Sequence, residues 1–246
     1  MDMLKIEKIH YEIGGADIIE SISFDARKNE FVSIIGPSGC GKSTLLRIIA
    51  GLIKPTGGDV ICMNKRIEEP VREISFVFQD FALLPWLTNI DNVKLGLSYF
   101  DIGAPEKDKI AMELLARFGL EGFEYAYPNV LSGGMKQRVG FARAIAQEPS
   151  ILLMDEPFSS LDELTATTMR EDVLNMLKTK DIPVNLVVMV THNVEEAVQL
   201  SDRVVVLSNK PTHVKQIKAV PLKQPRNTRS KEFTGIIDEI YATLTG

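Results

Sequence analysis

The sequence predicts an α/β fold with a mostly parallel sheet, an N-terminal antiparallel β part and an inserted helical subdomain. Three observations predict it. Short, continuous apolar runs recur along the chain: FVSII at 31–35, ISFVF at 74–78, ILLM at 151–154, LVVMV at 186–190 and VVVL at 204–207. Each is rich in aliphatic or β-branched residues and bounded by polar or breaker residues, as strands buried on both faces are. Amphipathic segments alternate with these runs, which points to a sheet covered by helices. Between about 80 and 147 the pattern is helical throughout, with no convincing strand.

The elements follow in order. The first 30 residues read as antiparallel strands. FVSII leads into a glycine-rich loop, and KSTLLRIIAGL (42–52) then reads as a helix. In the helical stretch, TNIDNVKLGL opens on a Thr cap, PEKDKIAMELLARFG opens on Pro and ends in Gly, and SGGMKQRVGFARAIAQ opens on Ser. SKEFTGIIDEIYATL is a closing helix. No internal repeat or low-complexity segment interrupts this order, so residues 1–246 read as one domain carrying the helical insertion.

Composition narrows the function classes. A net charge of -5 gives no global field that recruits nucleic acid. Two cysteines, Cys40 and Cys62, lack metal-type spacing and make no disulfide framework, which suits a reducing compartment. The charged N-terminal segment lacks the apolar centre of a signal peptide. No apolar run approaches the roughly 18 residues that span a bilayer, so any link to a membrane runs through a partner.

Residues 36–43 read GPSGCGKS, the pattern G-x-x-x-x-G-K-[ST] between a strand and a helix. A triphosphate concentrates negative charge. Glycines let backbone N–H groups turn toward it, and the helix start adds its dipole. The candidate ATP-binding set is Gly36, Pro37, Ser38, Gly39, Cys40, Gly41, Lys42, Ser43 and Thr44. Lys42 supplies a cation for the β- and γ-phosphates and Ser43 a hydroxyl for Mg2+. Cys40 reads as a small space-filler.

ILLMDE (151–156) reads as a buried strand delivering two carboxylates at its C-terminal edge, where ligands bind in open α/β sheets. Asp155 suits Mg2+, and Glu156 suits a water attacking the γ-phosphate. LSGGMKQR (131–138) is a second anion cradle, with Ser132, Gly133 and Gly134 at a helix start. One nucleotide needs one such cradle, so the second serves a nucleotide held by another subunit.

With these motifs in this order, the chain resembles the ATP-binding subunits of ABC transporters over nearly its whole length. The fold that this implies is a P-loop NTPase core. The resemblance implies that two subunits sandwich two ATPs, the phosphate loop of one facing Ser132, Gly133 and Gly134 of the other. It makes Gln79, in FVFQD, a contact of Mg2+ and the attacking water, and His192, in VMVTHNVEEA, a switch contacting the γ-phosphate. It places Asp162, at the end of DEPFSSLD, against the partner subunit, and Tyr11 against adenine; ordinary strand packing is the other reading of Tyr11. Met135 and Asn193 stand where glutamine and aspartate are common, and neither disturbs the cradle or the cap. His10 and His213 match nothing in the family and read as surface residues.

LLPWLTNIDNV (83–93) together with DEPF is similar to ATPases of nitrate, sulfonate and taurine importers. That implies a homodimer on the cytoplasmic face of the membrane, bound to permease subunits and served indirectly by a solute-binding protein. No nucleic acid is expected. Trp86 is either an anchor for a permease helix or an interior residue of the helical subdomain. The basic cluster Lys223, Arg226, Arg229 and Lys231 reads as a solvated loop or a lipid contact. Competing functions are a soluble ABC ATPase acting on nucleic acid or ribosomes, a small-molecule kinase, which has no use for LSGG, and a binding subunit without hydrolysis, which Glu156 and His192 argue against.

Overall fold

The computed structural model describes residues 2–179 and 182–246, with backbone only at 176–179. Along the chain run β1 (Asp2–Ile13), β2 (Ala16–Arg27), β3 (Glu30–Ile35), α1 (Lys42–Ile49), β4 (Gly57–Cys62), β5 (Lys65–Arg66), β6 (Ile74–Val77), α2 (Asn89–Lys94) and α3 (Ala104–Arg117). Then follow α4 (Gly133–Ala146), β7 (Ile151–Asp155), α5 (Glu163–Thr179), β8 (Leu186–Val190), α6 (Val194–Leu200), β9 (Arg203–Leu207), β10 (Thr212–Ala219) and α7 (Lys231–Thr245). The chain divides into two compact units, Met1–Val71 with Asn185–Gly246, and Arg72–Val184.

In the first unit the strand order is β5-β4-β1-β2-β10-β9-β3-β8. β3 pairs in parallel with both β8 and β9, setting Ile34 beside Val190 and Ile35 beside Val206. These strands are apolar on both faces because both faces are covered, and every residue of β8 is buried. β1 is antiparallel to β2 and to β4, which is the N-terminal antiparallel part. β10 joins the two parts, running antiparallel to β9 and parallel to β2. The closing helix α7 begins on Ser230, whose side chain accepts from the Phe233 N–H. It lays Phe233, Ile236 and Ile240 on Val204, Val206 and the apolar face of α6. Burying Phe233 alone contributes about 2 kcal/mol.

The second unit holds one parallel pair, β6 with β7, and the helices α2 to α5. No strand occurs between β6 and β7. The expected caps form: Thr88 accepts from the Asp91 N–H before α2, and Ser132 accepts from the Met135 N–H before α4. Pro105 sits in the first turn of α3, and Gly119, at φ +67°, ends it.

Candidate functional site

Parallel pairing brings strand ends to a common edge. β3 ends at Ile35, and the phosphate loop starts one residue later. β8 ends beside it, where the Thr191 N–H donates to the Ile34 carbonyl at 3.2 Å, so His192 leaves the same edge of the first unit. His192 is exposed, and the next residue, Asn193, caps α6 by accepting from the Glu196 N–H at 3.1 Å.

The loop itself is tightly built. Gly39 at φ +76° and Gly41 at φ +105° adopt left-handed backbone that side-chain-bearing residues resist. Gly41 is the N-cap of α1 and makes no side-chain cap bond, and a helix start of this kind suits an anion. Lys42 is 5% exposed, its Nζ donating to the carbonyls of Gly36 at 2.9 Å and Pro37 at 3.0 Å. Ser43 and Thr44 occupy the first turn of α1. Cys40 is buried as the loop's filler. A Cβ on Gly36 would lie 3.0 Å from its Sγ, and burial pushes its thiol pKa up against the opposing charge of Lys42. The Cys40 carbonyl accepts from the Thr212 hydroxyl, which moors the loop to β10. Tyr11 pairs across β1–β2 with Ile19, and a Cβ on Gly41 would lie 3.7 Å from Ile19 Cγ1, so the half-buried Tyr11 stands on the hairpin that flanks the loop. His10 lies 3.5 Å from Asp17 and His213 3.7 Å from Glu20 at the surface.

In the second unit β6 and β7 also end together, Val77 beside Met154. This register brings Gln79 to Glu156, Nε2 to Oε2 at 3.4 Å. With its amide N–H so directed, Gln79 has its side-chain carbonyl as an acceptor. Asp155 is buried at the end of β7, and Glu156 follows at φ 45°, a left-handed conformation strained for a glutamate. Its carbonyl accepts from both the N–H and the hydroxyl of Ser159.

Ser132 and Gly133 are exposed at the start of α4, and Gly134 is buried. A Cβ on Gly134 would lie 2.5 Å from Thr165 Cγ2. Thr165 cannot readily turn away, because its N–H and hydroxyl donate to Asp162 at 3.0 and 2.7 Å. Those bonds hold the exposed Asp162 carboxyl below the usual carboxylate range. The two motifs that sequence reading assigned to a partner subunit therefore meet within one unit through Thr165, a residue that reading did not single out.

Trp86 is 70% exposed, so it is not an interior residue. The buried Asn92 holds its segment, accepting from the Leu84 N–H at 2.8 Å and donating to the carbonyls of Leu84 and Thr88. Within the basic cluster, Arg226 is half-buried. Its guanidinium donates to the carbonyls of Leu222 and Val198, and burial lowers its pKa.

Residues 19–159 match the family model described as ABC transporter. The chain is 44% identical over 234 residues to an uncharacterized ABC transporter ATP-binding protein of Methanocaldococcus jannaschii, covering 94% of this chain and 86% of that one. It is 41% identical to the aliphatic sulfonates import ATP-binding protein of Bacillus thuringiensis subsp. konkukian, covering 90% of this chain and 86% of that one. Against the nitrate import ATP-binding protein of Synechocystis, identity is 45% over 85% of this chain and 31% of that one. Among solved structures, a dimeric post-hydrolysis state of the ATP-binding cassette MJ0796 bound to ADP and Pi superimposes with a TM-score of 0.78 at 34% identity, covering 89% of this chain and 99% of that one. Motif order, fold and extended similarity agree: the chain belongs to the ABC transporter family and is an ATP-hydrolysing subunit of it.

Proposed function

We propose that the chain energises import of a small solute, of the nitrate or sulfonate kind, through a separate permease at the cytoplasmic face of the membrane. The observation that carries this reading is that one chain has two helix starts suited to phosphate, at Gly41 and at Ser132, the second exposed at the surface. The sulfonate and nitrate import proteins among its relatives support import as the direction and such anions as the solute class. Among the described residues no helix is long and apolar enough to cross a membrane.

In this reading the backbone of residues 36–41, with Lys42, Ser43 and Thr44, holds the ATP phosphates, and Tyr11 stacks on adenine. Ser43, Gln79 and Asp155 each offer an oxygen, the donor type that a hard cation such as Mg2+ takes. Mg2+ bound with the nucleotide would neutralise charge on the phosphates. Glu156 takes a proton from the attacking water, Gln79 orients Glu156 and that water, and His192 contacts the γ-phosphate. Ser132, Gly133, Gly134 and Asp162 serve the nucleotide of a second copy. Closing around nucleotide lowers the energy of the dimer relative to the open pair and so drives the permease.

Gly134→Ala tests the two-copy arrangement. The added Cβ must displace Thr165 and break its bonds to Asp162. Turnover is expected to fall about tenfold or more, while ATP affinity of the single chain stays within about twofold. Paired measurements of phosphate release and nucleotide binding decide it, and unchanged turnover would count against the arrangement.

The permease assignment is tested by affinity purification from gently solubilised native membranes, with co-purifying chains identified by mass spectrometry. A multi-span permease is expected with the native chain. Replacing Trp86 by Ala should cut its yield about tenfold or more, as loss of an exposed aromatic anchor does. Recovery of soluble or ribosomal proteins alone would overturn the membrane role.

A further inference from the structure

The turn after Gln79 is strained. Phe81 at φ 65° and Ala82 at φ 45° are consecutive left-handed residues, and neither is glycine. Such residues persist only where their surroundings hold them. Besides the Phe81 N–H bond to the Phe78 carbonyl, one side chain from α4 holds the turn: Arg143 Nη1 donates to the Ala82 carbonyl at 2.6 Å and Nη2 to the Phe81 carbonyl at 2.7 Å. A planar fork with parallel donors fits two successive carbonyls, which a point-charge ammonium does not. Both bonds are charge-assisted. The side chain is half-buried, and burial pushes the guanidinium pKa down while Asp80 opposes it.

We propose that Arg143 is a positioning residue for ATP hydrolysis, holding the 79–82 turn so that Gln79 faces Glu156. This rests on the role proposed above for Gln79. The same helix begins at Ser132, about 16 Å away at the rise of an α-helix. α4 thus ties the surface cradle at one end to the turn that carries Gln79 near the other. A displacement of α4 when its N-terminus engages a partner's nucleotide reaches Gln79 through two hydrogen bonds.

The test is a double-mutant cycle on the full chain with Mg2+ and ATP. Arg143→Lys keeps the charge and loses the fork. It is expected to lower kcat about tenfold with ATP affinity within about twofold. Gln79→Ala is expected to be at least as slow, and adding Arg143→Lys to it should cost nothing further, because both act through one side chain. Ala82→Gly removes the backbone strain, and in the Arg143→Lys chain it should restore kcat to within about threefold of the native value. A purely structural role would lower the melting temperature, act equally in both backgrounds and resist that rescue, and would overturn the proposal. Unaltered kcat in Gln79→Ala would overturn the reading of Gln79. A slow Gln79→Ala chain beside a fully active Arg143→Lys chain would overturn the role of Arg143 alone.

Discussion

Glu156→Gln is expected to bind ATP with near-native affinity and to lose turnover by about a hundredfold or more. The substitution is isosteric, so β7 and the hydrogen bond to Gln79 tolerate it. What it removes is the carboxylate able to accept a proton from water. The strained backbone at Glu156 gives this position added weight, since a glutamate at φ 45° is held there against its own preference. Steady-state phosphate release beside an equilibrium nucleotide titration separates binding from chemistry. Turnover within a few-fold of native would remove Glu156 as the base and move attention to His192.

Lys42→Ala should act on binding instead. Removing a charged donor from a phosphate site costs about 1.5–3 kcal/mol, which is about ten- to a hundredfold in ATP affinity. The same truncation removes the two bonds that Nζ makes to Gly36 and Pro37. The loop should nonetheless keep its path, since the left-handed glycines and the Thr212 bond to Cys40 remain. A nucleotide titration with a thermal melt therefore has a clear expectation: weak ATP binding by a chain that still folds. ATP affinity equal to native would show that the backbone cradle alone holds the phosphates.

The parts of this molecule that were legible in sequence are those specified by local chemistry. Apolar runs became β3, β7, β8 and β9, and the polar caps Thr88, Ser132 and Asn193 sit where helices start. The motif residues were legible because phosphate binding constrains neighbouring positions. β10 was not, since THVKQIKA alternates polar and apolar residues, and its place between β2 and β9 is decided by partners nearly 200 residues away in β2. β4 was hidden by its two leading glycines. Arg143 and Thr165 were missed for another reason. Each gains its role from a backbone conformation or a close contact elsewhere in the chain, and neither leaves a local signature. Arg226 shows the converse, a basic residue in a basic cluster whose guanidinium is consumed by backbone carbonyls.

In the proposed function, two copies of the chain complete each other's nucleotide sites. Sedimentation of the Glu156→Gln chain with and without ATP and Mg2+ tests this. A monomer is expected without nucleotide, a dimer with it, and a monomer again when a bulky charge is placed in the cradle by Ser132→Arg. A chain that binds ATP yet sediments as a monomer at every protein concentration, or a dimer indifferent to both nucleotide and Ser132→Arg, would contradict it.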